Sequence, residues 1–253
     1  MGKRFNGFTI IEVSLFLAIT GLLFLGVTIG VQSSVFRQRF NDSVQNFAEF
    51  LRGIYAETMN VQSADSGRSD QAIFGKLVTF GETTGFNGEP VDGNQAFVYD
   101  VVGNVKGSAG TGNILELLGS EKIQANVIIN ENGEKRLAGI VESYRPKWSA
   151  EIQPTNSFSS IKAALLVVRH PRSGTVYTFV MKNDTVPVNA RKNSSANILQ
   201  QYLSRFQSVS IDFCINPEGN REYRDRADVR INEDARNSSA IEIIYEGDNP
   251  CRQ

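Results

Sequence analysis

The chain has 253 residues, with 26 Lys and Arg set against 27 Asp and Glu for a formal net charge of −1. That balance, without a long block of either sign, argues against a nucleic-acid-binding face, and no specific nucleic-acid site is expected. One histidine and two distant cysteines exclude a zinc site of usual composition within one chain, while the length allows one large domain or two small ones.

Lys3 and Arg4 precede an almost unbroken apolar run over 7–31, GFTIIEVSLFLAITGLLFLGVTIGV, which nevertheless carries Glu12. Residues 13–31 hold no charge, and as a helix they would span roughly 28 Å, close to the hydrocarbon thickness of a bilayer. A carboxyl near the end of such a helix costs about 2.5–3.5 kcal/mol at mid-membrane and less at the interface, so Glu12 needs a partner or a reason. A secretory signal would have a shorter apolar region followed by a small-residue cleavage pattern; QSSVFRQRF follows instead, so the run is expected to be retained. Arg37 and Arg39 on its far side nearly balance Lys3 and Arg4, and charge alone leaves the orientation open.

The basic leader ends in Asn6-Gly7, and Phe8-Thr9-Ile10-Ile11-Glu12-Val13 follow. Here the chain closely resembles the type IV prepilin family, which includes pilins and the pseudopilins of secretion and DNA-uptake machines. The resemblance implies that a membrane peptidase and methyltransferase cuts between Gly7 and Phe8 on the cytoplasmic side and methylates Phe8. It also implies that Glu12 meets the amino group of Phe8 on a neighbouring subunit. Such a pair gains strongly in a low dielectric but loses much to desolvation, so it sets register more than strength. The implied topology is a single pass with the N-terminus inside and the large C-terminal part outside. An inner-membrane assembly platform would then draw subunits from the bilayer into an extracellular or periplasmic filament, packed through their N-terminal helices. Many pilins bend this region with a proline; residues 1–89 contain none. Gly21, Gly26 and Gly30 are the basis for expecting the helix to melt locally on assembly.

Beyond Val31, apolar residues continue at Phe36, Phe40, Val44, Phe47, Leu51, Ile54 or Tyr55 and Thr58, steps of three and four that mark one helix face. The first breaker cluster is Ser63-Ala64-Asp65-Ser66-Gly67. One helix over 8–61, about 80 Å long, is therefore predicted.

The remainder reads as mostly β. Strands are predicted over 76–80, 96–102, 126–130, 137–143, 163–169, 175–181, 209–215 and 240–245 from β-branched and aromatic content between turn residues. A helix is predicted over 195–206, and exposed loops over 81–95 and 103–113. Arg172-Ser173-Gly174 and Asn132-Gly133 mark antiparallel hairpins, and the Arg221–Asp228 charge cluster reads as solvated surface. Cys214 and Cys251 are an even count in a chain with an export-like N-terminus, which points to an oxidising compartment and one disulfide; free thiols are the alternative. A bridge closing that loop stabilises by roughly 4 kcal/mol in the chain-entropy account. The family resemblance extends here, since many pilins bound a variable C-terminal region with one disulfide.

No catalytic constellation emerges. His170, the sole histidine, precedes Pro171 at a strand end and reads as structural; the 103–113 glycines lack the P-loop pattern. Glu116, Glu121, Asp212 and Glu242 have no legible pairing, and the sequons at Asn183, Asn193 and Asn237 are short enough to arise by chance. The expected fold is α+β and pilin-like: one long N-terminal helix packed on an antiparallel β-sheet domain. Its segments are a leader at 1–7, a transmembrane helix at 8–31, an amphipathic continuation at 32–62 and a mostly β head at 63–253. The expected function is that of a structural subunit, minor or specialised, with no cofactor, no metal and no enzymatic activity. The alternative is a membrane-anchored extracytoplasmic enzyme or ligand-binding domain that uses the helix only as a tether.

Overall fold

A computed structural model of the chain describes residues 9–60, 72–83, 92–105, 114–119, 123–126, 129–131, 134–136, 142–155, 162–186, 199, 202–216, 226–245 and 251. It divides into two compact units, Met1–Asp42 and Ser43–Gln253.

A single α-helix, α1, runs uninterrupted over Ile10–Met59. In its 43–59 part Val44, Phe47, Ala48, Leu51, Ile54 and Tyr55 are buried, whereas Gln45, Glu49, Ala56 and Glu57 are exposed, as an amphipathic period requires. The apolar stripe begins later than expected, because Phe36 is 40% exposed. Beyond Met59 the helix ends where Arg169 Nη1 donates to the Met59 carbonyl at 2.9 Å, satisfying one of the acceptors that a helix C-terminus leaves open.

The β structure of the second unit comprises β1 (Ala72–Phe80), β2 (Ala96–Val105), β3 (Ile123–Asn126), β4 (Ile129–Glu131), β5 (Glu134–Arg136), β6 (Glu142–Tyr144), β7 (Glu151–Thr155), β8 (Ala163–Arg169), β9 (Val176–Lys182), β10 (Ile211–Asn216), β11 (Ala227–Ile231) and β12 (Ile241–Ile244), with a short helix α2 (Ile114–Gly119) after β2. The larger sheet has the order β3-β2-β1-β8-β9, with β6 also paired to β2; a second has the order β12-β11-β10-β7, and β4 and β5 form a ribbon. Every pairing is antiparallel.

β8, AALLVVR, is buried at six consecutive positions, the pattern of a strand covered on both faces. One face meets α1. Lys76 Nζ lies 2.7 Å from Glu57 Oε2, the Tyr55 and Thr178 hydroxyls are 2.8 Å apart, and Phe47 sits edge-on to Phe80. The opposite face forms a core of Leu77, Tyr99, Leu166, Phe179 and Met181 closed by Leu117, Leu118, Leu203 and Phe206. Phe213 of β10 packs on both Phe47 and Phe80, at centroid distances of 5.4 and 4.8 Å, so the second sheet shares the aromatic core beneath α1. Where β1 pairs with β8 at Gly75, a Cβ on the glycine would stand 2.1 Å from the Val167 carbonyl oxygen; only glycine allows that approach.

The α+β composition and the β8–β9 hairpin at Arg172-Ser173-Gly174 agree with the sequence reading, but several assignments need correction. The 126–130 strand is divided between β3 and β4, β2 extends to Val105 into the expected loop, and α2, β7 and β11 were not anticipated. In the 81–95 loop Gly81 and Glu82 are buried. Asn94 bridges to β7, donating to the Ala150 carbonyl at 2.6 Å and accepting from the Ile152 amide at 2.7 Å. Residues 84–91, 106–113 and 137–141 lie outside the described residues, as does Asn132-Gly133; of the 195–206 helix, Leu199 and Tyr202 are helical and a 3-10 turn follows at Leu203–Arg205.

Candidate functional site

The first unit presents exposed apolar side chains along most of its length. None of the described side chains from 9 to 39 is buried; Ile10, Leu22 and Phe24 are 88%, 71% and 73% exposed. α1 is long and apolar enough to cross a membrane, and a helix satisfies its own backbone groups there.

At its start, Thr9 and Glu12 bond reciprocally. The Thr9 amide donates to Glu12 Oε2 at 2.9 Å, the Thr9 hydroxyl to the same oxygen at 3.1 Å, and the Glu12 amide returns a bond to Thr9 Oγ1 at 3.3 Å. With Ile10 as the first helical residue, Thr9 stands at the N-cap and Glu12 at the third helical position, the arrangement of a capping box. Glu12 thus has a partner within its own chain, one the sequence reading missed although Thr9-Ile10-Ile11-Glu12 carries the S/T-x-x-E signature. Gly7 and Phe8 lie outside the described residues.

In the second unit Cys214 and Cys251 are joined by a disulfide, with Cα atoms 5.4 Å apart. Arg226 Nη1 donates to the Cys251 carbonyl at 3.0 Å, adding a second tie to the tail. Cys214 pairs in register with Asp228 on β11, and Asp212 with Arg230. Arg230 therefore lies between two acids: its Nε is 2.5 Å from Asp212 Oδ1 and its Nη2 is 3.5 Å from Asp228 Oδ2. Asp228 is 0% exposed, which overturns its assignment to solvated surface; residues 221–225 of that cluster lie outside the described residues. Burial first, and repulsion from Asp212 next, push the Asp228 carboxyl up to about 7 against the pull of Arg230.

Lys76 and His170 have structural partners. Lys76 lies 2.8 Å from Asp100 Oδ1, its cross-strand partner, besides its bond to Glu57. Burial opposes its charge, but the bonds to Asp100 and Glu57 outweigh that and hold the ammonium above its ordinary value. His170 Nδ1 accepts from the Arg172 and Ser173 amides, both at 3.2 Å, and so shapes the β8–β9 turn. Glu116 is exposed on α2 and Glu242 accepts from Asn232 Nδ2 at 2.7 Å, well apart in the chain's order of elements. Asn183 and Asn237 are exposed; Glu121 and Asn193 fall outside the described residues. No group of three or more His, Cys, Asp or Glu among the described residues could hold a metal ion.

Compared with protein-family models, with curated proteins and with solved structures, the chain matches none.

Proposed function

We propose that this chain is a type IV pilin-like structural subunit, minor or specialised in role, processed by a prepilin peptidase and polymerised into a pilus or pseudopilus. The observation that carries the reading is the position of the Gly7-Phe8 and Glu12 motif at the head of one continuous helix, α1. That helix has uncovered apolar side chains over its first part, while its 43–59 part is the core of an antiparallel β unit.

Each part has a role in this reading. Cleavage after Gly7 removes the basic leader and frees the amino group of Phe8, which is then methylated. The apolar segment stores the subunit in the cytoplasmic membrane with its N-terminus inside. Assembly at the inner-membrane platform replaces lipid with neighbouring helices, so the same apolar surface serves first as anchor and then as filament core. Glu12 pairs with the Phe8 amino group of the next subunit and fixes the stagger. The β unit, with its disulfide, faces the oxidising side, where the filament supports adhesion, motility, DNA uptake or secretion.

N-terminal mass spectrometry of the chain isolated from its membrane, together with imaging of sheared filaments, tests this. The expected product begins at methylated Phe8 and appears in filaments. A chain that keeps residues 1–7, carries no methyl group and forms no filament would establish the tether alternative instead.

A further inference from the structure

Among the described residues outside α1, Trp148 is the one large apolar side chain left exposed, at 54%. It stands in the turn between β6 and β7 with Arg145 and Lys147, both exposed, and residues 145–149 carry these two cations and no acid. Trp148 and Ser149 take φ of 56° and 54°, left-handed values that a residue with a Cβ keeps only when its surroundings hold it there. The surroundings do so. Pro146 and Ala150 are buried, the Lys147 carbonyl accepts from the Ala150 amide at 3.2 Å and from the Ser43 hydroxyl, and Lys147 Nζ donates to Asn46 Oδ1 at 3.3 Å. An indole accompanied by two cations is thus kept at the surface, on a turn tied to Ser43.

Ser43 places the turn along the chain. The uncharged run after Glu12 ends at Phe36, and Ser43 follows seven residues later in the same helix, roughly 10 Å of rise. A headgroup layer adds about 5–8 Å to each side of the hydrocarbon, so long side chains on a turn tied to Ser43 reach it. Tryptophan favours that layer because its ring is apolar while its N–H stays wet, and Lys and Arg are drawn to anionic headgroups. We propose that the 145–149 turn is a membrane-surface contact: Trp148 enters the headgroup layer near the point where α1 leaves the bilayer, and Arg145 and Lys147 meet the phosphates of anionic lipids. The inference rests on the membrane stage of the pilin reading above and is independent of filament assembly.

Trp148 is the sole tryptophan of the chain, so its emission reports the contact without a label. The full chain is reconstituted in vesicles of phosphatidylcholine and phosphatidylglycerol, and a carbonate wash first establishes that the bilayer holds it. Phosphatidylcholine brominated near the glycerol end of its acyl chains should quench the emission, the same lipid brominated near the methyl end should not, and iodide on both sides of the bilayer should quench little. Omitting phosphatidylglycerol, or combining Arg145→Glu with Lys147→Glu, should remove most of the bromine quenching and expose the indole to iodide. Iodide quenching without bromine quenching, in a chain that withstands carbonate, would overturn the inference and leave the membrane reading intact. Protection from iodide without bromine quenching, lost as the chain is diluted with lipid, would also overturn it and seat a second copy on the turn. Bromine quenching indifferent to both charge changes would overturn the assignment to anionic headgroups. Release by carbonate would remove the membrane stage and this inference together.

Discussion

Asp228 sits where an aspartate is hard to keep charged. Its strand partner is Cys214, the disulfide joins that residue to Cys251, and no part of the acid reaches solvent. Asp212 and Asp228 also share one guanidinium, that of Arg230. With its carboxyl raised from an ordinary 3.8 to about 7, the folded chain binds a proton that the unfolded chain releases over that interval. Stability contributed by the neutral acid is therefore present below about pH 4 and is lost progressively as pH rises to about 7. Urea unfolding of the full chain in detergent micelles from pH 4 to 8 should show this decline, and Asp228→Asn should flatten it relative to the parent. An unchanged slope in the variant would place the titrating group elsewhere. Nothing local foretells this: read alone, Ala-Asp-Val-Arg-Ile alternates like a strand with one wet face, and the cross-strand partner of its aspartate is Cys214 of β10, the residue that carries the disulfide. The Thr9–Glu12 cap, in contrast, is fully local and was legible in four residues.

At the scale of elements, α1 makes the sharpest comparison, because one apolar period passes from uncovered to buried along its length. Phe47 is 1% exposed and its ring meets Phe80, Tyr144 and Phe213, so Phe47→Ala should cost about 3–5 kcal/mol of unfolding free energy. Phe36 occupies the same period but is 40% exposed, and Phe36→Ala should leave the unfolding midpoint of the β unit within experimental error. Equal losses from the two, measured by urea unfolding in micelles, would mean that the buried stripe begins before Phe40. Periodicity made the helix legible but could not say where cover begins, since that depends on strands distant in sequence. Length and composition explain the missed elements. α2 has six residues, too few for a period to show. β7 contains Pro154, which demotes a strand assignment, yet among the described residues β7 has one neighbour in its sheet, β10, and an edge tolerates proline.

The molecule as a whole combines a helix with uncovered apolar side chains and a β unit whose C-terminal tail is tied down covalently. In the proposed pilin reading these parts have different surroundings: lipid or partner helices for the first, an oxidising aqueous compartment for the second. The Cys214–Cys251 bond spans 37 residues, and the chain-entropy account gives its loss a cost of about 4 kcal/mol. Replacing both cysteines with alanine should therefore lower the unfolding free energy of the full chain by about that amount, and parent chain treated with reductant should follow. Because the bond adjoins Asp228, the loss should not be a constant offset. With the bond opposite it broken, the Asp228 carboxyl should fall back toward its ordinary 3.8, and the decline in stability between pH 4 and 7 should shrink. Asp228→Asn should then change little in the cysteine-free chain, although it flattens the profile of the parent. A double-mutant cycle across pH measures this coupling directly. Strict additivity would show that strand packing buries Asp228 without help from the disulfide, whereas the expected non-additivity would make that bond a determinant of the acid's charge.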